Sequence, residues 1–215
     1  MSYIGINGAR RLDESDSALG LMAMQKRAAE MLRSRSDMRT IKAETGWEMG
    51  VDGKWRYEVA DPFHTTAEIE DHLKKHFGEP INIRYCMHDL ALLTAYPSFE
   101  RLKLYSLYSP TRKFAGYFNP ENYGMIVCMG TKESDFDYQT EGVLLHEVQH
   151  LIQEEEGFAR GGDASQGRRR YLRLAGEVES RNICLRHPLT PLQRRQSLRT
   201  DTQDVPDSQQ IIVFG

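Results

Sequence analysis

Cysteine, net charge and long apolar runs are all scarce in this sequence, and each shortage removes a class of protein. The 215 residues include three cysteines, Cys86, Cys128 and Cys184, odd in number and without paired spacing. That excludes a disulfide framework, and the three read as reduced thiols of an intracellular protein. The formal net charge is only −3 with 27 % charged residues. Without an excess basic field to displace counterions, the chain does not read as a general nucleic-acid binder. No apolar run approaches the roughly 18–20 residues of a membrane span. Met1 to Arg11 lacks the apolar core of a secretory signal, and no internal repeat is visible. The expectation is a soluble, cytoplasmic chain of one domain, long enough to bury about 70 % of the surface its unfolded form exposes.

What is present centres on Leu144-Leu145-His146-Glu147-Val148-Gln149-His150-Leu151-Ile152, an H-E-x-x-H motif within a helical pattern. Imidazoles four residues apart stand one above the other on a single helical face. That spacing lets both rings reach one ion with metal–nitrogen bonds of about 2.0–2.1 Å. Glu147 projects to the side, where it can take a proton from a water activated by the metal. Leu144, Leu145, Val148, Leu151 and Ile152 cover the other faces, so the helix is expected to be buried.

Around this motif the chain reads as α+β. Residues 1–14 mix glycine, arginine and acidic side chains without a period and read as a flexible N-terminus. Residues 15–100 form an N-terminal helical and hairpin part. An amphipathic helix is predicted over 16–35, capped by Asp16 or Ser17. Trp55, Tyr57 and Val59 alternate after Asp52-Gly53, which predicts an aromatic hairpin from Gly46-Trp47 to Tyr57. Thr65-Thr66-Ala67-Glu68 is a capping box opening a second helix. That helix carries His72 and His76 at metal-binding spacing, but Lys74 and Lys75 beside them oppose a dication, so the pair reads as solvated surface. A short strand over 80–85 and a short helix over 89–95 follow.

Strands over 102–107, 113–118 and 124–129 then predict an antiparallel meander leading, through a loop at 131–141, into the H-E-x-x-H helix. That helix ends at Gly157. Gly161-Gly162 opens a polar loop in which Arg168, Arg169 and Arg170 read as solvated, and a last helix is predicted from Tyr171 to Arg186. The tail, 193–215, ends on Ile211-Ile212-Val213-Phe214, apolar enough to dock as an edge strand or in a groove.

Two histidines leave a catalytic metal one protein ligand short. Ala175-Gly176-Glu177-Val178-Glu179-Ser180 offers two carboxylates two residues apart, on different faces of the last helix. Helical geometry leans to Glu179, nearer the apolar side, while Gly176 would allow close approach of the two helices. His64, His88 and His187 have no spacing that argues for them.

Three motifs together, His146 to His150, Gln153 to Gly162 and Tyr171 to Asn182, resemble the zincin-like peptidase domains of large polyvalent proteins. Those domains are modules of phage and mobile-element polyproteins. The hairpin from Glu44 to Glu58 and the tail segment Thr202 to Pro206 are similar to the same family, and the signal is sharpest between 143 and 182. The resemblance implies a zincin-like catalytic core over 101–192, in which a small meander sheet packs on the H-E-x-x-H helix and a downstream glutamate helix. More broadly, a second helix with E-x-x-A/S resembles gluzincins, and this implies Glu177 as the third ligand of a zinc ion held with His146 and His150. Where many gluzincins place an acidic residue four positions later, this chain has Arg181; Asn182 or a backbone carbonyl would then orient the ring.

The expected activity is zinc-dependent hydrolysis of a peptide bond in a polypeptide substrate, with Glu147 as general base. Tyr171, Tyr123 and His187 are candidates for stabilising the oxyanion. The strand before the active helix is the expected edge for an extended peptide. The rival expectation is a zincin-like scaffold that binds without turnover.

Overall fold

The computed structural model describes residues 1–16, 20–60, 62–108, 116–129 and 140–215. Its first surprise is at the start of the chain, where Met1, Ser2, Tyr3 and Ile4 are all fully buried. Strand β1 (Ser2–Ile4) pairs antiparallel with β3 (Trp55–Val59), and β3 pairs antiparallel with β2 (Trp47–Met49), in the order β1-β3-β2. The predicted hairpin is β2–β3, turning at Gly53 with φ +77°, a conformation glycine adopts without a Cβ penalty.

The expectation of a flexible 1–14 is corrected. Tyr3 N–H donates to Gln149 Oε1 at 3.0 Å, and Gln149 Nε2 returns a bond to Tyr3 O at 3.1 Å. Helix α1 (Ile6–Asp16) is capped from a distance, since the N–H groups of Gly8 and Asn7 donate to the Glu156 carboxylate at 2.7 and 3.1 Å. A cap supplied by a residue so remote leaves no local trace at the helix start.

Helix α2 (Leu21–Arg33) follows Gly20, so the predicted 16–35 helix is the shorter 21–33; Ser17 and the Asp16 side chain lie outside the described residues. Helix α3 (Met38–Thr45) is capped by Asp37, whose Oδ1 accepts from Thr40 N at 3.0 Å, and ends at the left-handed Gly46. The capping box at Thr65 and Glu68 opens α4 (Thr66–Lys75) as the sequence implies.

The second sheet comprises β4 (Ile81–Asn82), β5 (Lys103–Tyr108), β6 (Gly116–Asn119) and β7 (Gly124–Met129), with α5 (Ala91–Ala95) between β4 and β5. Its order is β4-β5-β7-β6, and β5 and β7 run parallel, while the two outer pairs are antiparallel. The meander is corrected accordingly. β7 carries the fully buried Met125 and Val127 and takes the inner position. In β6 Phe118 is buried while Tyr117 is 52 % exposed, and this strand forms the edge. Residues 113–115 of the predicted strand and 131–139 of the predicted loop lie outside the described residues.

Helix α6 (Thr140–Glu156) runs beneath this sheet, against β1 and against α8 (Ala175–Arg186). Between them stands α7 (Arg168–Tyr171), one exposed turn where a loop was expected. The predicted 171–186 helix therefore breaks at 172–174. Leu174 forms a bridge to Ile211, and Ala175 N–H donates to Ile211 O at 2.9 Å. The tail docks through this bridge and through Arg160 N–H to Val213 O at 2.8 Å, after α9 (Pro191–Gln196).

Most of the buried apolar side chains form one cluster from Met1 to Ile183, crossing the boundary drawn at 100. Beside it lies a buried ionic group. Lys42 pairs with Glu48 and with Glu58, while Arg186, fully buried, holds Glu58 and the carbonyls of Leu198 and Arg194. Each charge is thus matched and hydrogen-bonded where water is excluded. Among the described residues no helix is long and apolar enough to cross a membrane.

Candidate metal centre

Leu144, Leu145, Val148, Leu151 and Ile152 are all fully buried, and they fix the rotation of α6 so that His146 and His150 emerge together on its less buried face. Their rings cross at 81° with centroids 4.8 Å apart, and their Nε2 atoms are 3.2 Å from each other. From the first turn of α8, Glu177 closes the group: Oε1 lies 3.3 Å from His150 Nε2, and Oε2 lies 3.3 Å from His146 Nε2. The helix N-terminus favours a carboxylate there.

The three donor atoms all lie within 4.8 Å of one another, and among the described residues no other group of three or more His, Cys, Asp or Glu side chains does so. Such a set can hold a metal ion. Glu177 is 2 % exposed, and its Oε1 accepts from Gly162 N–H at 3.0 Å. Its Oε2 is buried without a hydrogen-bond partner. A buried carboxylate with one oxygen left so, its two oxygens facing two imidazole nitrogens, is the feature a bound cation would satisfy.

Glycines shape the surroundings. A Cβ at Gly161 would overlap Glu177 Oε1 and the His150 ring, so only glycine lets the 160–162 backbone approach. Gly176 serves the same loop: its missing side chain makes room for the backbone of Arg160 and Gly161, not for α6 as expected. In β6, a Cβ at Gly116 would stand 2.8 Å from Glu147 Oε1.

The charges are strongly coupled. Burial pushes Glu177 up, but His150, His146 and the neighbouring Tyr171 hydroxyl outweigh it and hold the carboxyl down at about 2. For His150, burial acts to lower the pKa and is overcome by Glu177 and Glu147, leaving it raised. Burial raises Glu147, against the pull of the two histidines, and the Phe118 N–H steadies its charged form. Tyr171 is raised by burial and by the neighbouring Glu177 charge, so the phenol stays protonated as a donor.

A cleft of about 590 Å³ opens over this group, lined by His146, Glu147, His150, Tyr171 and Glu177 together with β6 and the 160–164 loop. Of the three oxyanion candidates, only Tyr171 lines it. Tyr123 donates to Glu155 at 3.4 Å, and His187 pairs with Glu141 at 3.1 Å. Among the described residues the strand preceding α6 is β7, which is interior, so the edge beside the cleft is β6 instead.

Glu179 points away from the histidines. It accepts from Arg56 Nε at 2.7 Å and from Gln149 and Gln153. Arg181 and Asn182 do not orient a histidine either, since Arg181 binds Asp204 and Asn182 binds Arg199 O and Thr202. The residue that does is one the sequence reading overlooked. Gln153 places Oε1 2.9 Å from His150 Nδ1, and its position three residues after His150 on the same helical face was the available signal. His72 and His76 lie against each other, tilted at 46° with centroids 4.9 Å apart; they are half-buried, and among the described residues they belong to no three-donor group.

Residues 2–66 match the family model of large polyvalent protein associated domain 23. No curated protein and no solved structure matches the chain. The link to large polyvalent proteins therefore rests on β1, α1–α3 and the β2–β3 hairpin, outside the 143–182 region that carries the histidines.

Proposed function

We propose that this chain is a zinc-dependent peptidase of the zincin-like, gluzincin type, with His146 Nε2, His150 Nε2 and the Glu177 carboxylate as the residues that would hold the ion. Imidazole and carboxylate donors suit zinc. When bound, the metal supplies Lewis acidity that lowers the pKa of water towards about 7 and polarises a carbonyl.

The chain's own residues do the rest. Glu147, a buried carboxylate with a raised pKa, accepts the proton of the attacking water and delivers it to the leaving amine. Tyr171, protonated and facing the cleft, donates to the developing oxyanion. Strand β6, the edge of the sheet among the described residues and bordering the cleft, is where an extended polypeptide substrate would pair. The observation that carries this reading is the convergence of two imidazoles and a partnerless buried carboxylate oxygen beside a second buried carboxylate, all at the floor of one cleft.

Elemental analysis of the purified chain, with cleavage of a peptide mixture followed by mass spectrometry, tests it. One zinc per chain is expected, lost in His146→Ala. Glu147→Gln should keep the metal and lose at least about 100-fold in turnover. A chain without stoichiometric metal, or undiminished cleavage by Glu147→Gln, removes the proposal.

A further inference from the structure

We propose that Gln153 and Glu179 are positioning residues that lock His150 in the Nδ1–H tautomer and so leave its Nε2 lone pair for an ion shared with Glu177 and His146. The inference rests on the metal-centre reading for its consequence, but the tautomer itself is a property of the chain alone.

The argument is one of donors and acceptors. Gln153 is 1 % exposed. Its Nε2 faces Gly176 O at 2.9 Å and Glu179 Oε1 at 3.1 Å, two groups that only accept. A flipped amide would set oxygen against two oxygens, so the orientation is fixed. Oε1 must then face His150 Nδ1 at 2.9 Å, and an amide oxygen there requires Nδ1 to carry the proton. Ser180 Oγ, 3.4 Å from the same nitrogen, is the longer neighbour.

Glu179 is itself held. Its Oε1 also accepts from Gln149 Nε2 at 3.0 Å, and its Oε2 accepts from Arg56 Nε at 2.7 Å. Arg56, 2 % exposed, donates in turn to Asp52 Oδ2 at 2.8 Å and to Lys54 O at 3.0 Å. The polar groups along Asp52–Arg56–Glu179–Gln153–His150 are each paired in a largely buried setting, which makes the relay rigid. Its first two members come from the β2–β3 hairpin, inside the segment matched to large polyvalent proteins. That segment thereby sets the geometry of a histidine about a hundred residues further along the chain.

Long-range proton–nitrogen NMR of the metal-free, histidine-labelled chain, at alkaline pH where the ring is neutral, reads the tautomer directly. Zinc competition against a chelating dye reads the consequence. The wild-type chain is expected to show Nδ1–H at His150. Gln153→Met, similar in length but without an acceptor, should shift the ring towards Nε2–H and weaken zinc binding about 10- to 100-fold. An Nε2–H ring in the wild-type chain overturns the relay, and so does a folded Gln153→Met variant with unchanged tautomer and zinc affinity. The wild-type spectrum decides the matter even if that variant fails to fold. A wild-type chain that takes up no zinc, yet shows Nδ1–H that is lost in Gln153→Met, keeps the relay and discards the peptidase reading.

Discussion

Adding one methyl group at Gly176 should disturb the site more than its size implies. A Cβ there would stand 2.6 Å from Arg160 O and closer still to Arg160 C and Gly161 N, all of them backbone atoms that no rotamer change can move. Restoring ordinary contact of about 3.5 Å requires the 160–161 backbone to retreat by on the order of 1 Å. That segment is pinned on both sides, by Val213 O accepting from Arg160 N–H at 2.8 Å and by Gly162 N–H donating to Glu177 Oε1 at 3.0 Å. Overpacking of this kind costs about 1–3 kcal/mol. The gain in helix propensity from glycine to alanine offsets at most about 1 kcal/mol of that. A domain of this length loses about 2–4 °C in Tm per kcal/mol, so Gly176→Ala should melt several degrees lower. Retreat of the loop also weakens the Gly162 bond that orients Glu177, and metal affinity should fall about tenfold or more. Thermal unfolding and chelator competition measure the two effects. A Gly176→Ala chain with wild-type Tm and wild-type metal affinity would refute the close-approach argument.

Two further outcomes follow from the buried groups away from the cleft. Lys42→Met leaves Glu48 and Glu58 without their shared ammonium partner where all three side chains are at most 9 % exposed; a loss of about 3–5 kcal/mol in denaturant unfolding is expected, and an unchanged midpoint would contradict the ionic cluster. Burial pushes the thiols of Cys86 and Cys184 up to about 12, so both stay protonated at neutral pH; mass mapping after alkylation of the native chain should find neither modified until denaturant is added. The side chain of Cys128 lies outside the described residues.

Much of the site was legible because it is local. The four-residue spacing of His146 and His150, with apolar residues on the other faces, determines a buried helix with two rings on one side wherever that helix packs. The capping box at Thr65 and the Asp52-Gly53 turn are likewise local, since each is satisfied within three or four residues. The start of the chain was not legible, because the carboxylate that caps α1 belongs to Glu156 at the far end of α6. Nor was the strand order, since β5 and β7 meet in parallel across a crossover that no period announces.

The choice between Glu177 and Glu179 divides the two kinds of information most clearly. The sequence by itself determined that a carboxylate would follow on a second helix, and that one of two would face the histidines. Only the tertiary structure decided which: Arg56, arriving from the hairpin, captures Glu179, and the side-chain-free backbone at Gly161 and Gly162 seats Glu177. Helical periodicity reports where a side chain leaves its own axis. What it meets there is set by segments folded in from elsewhere, and at this site one of them, the hairpin that carries Arg56, lies more than a hundred residues away.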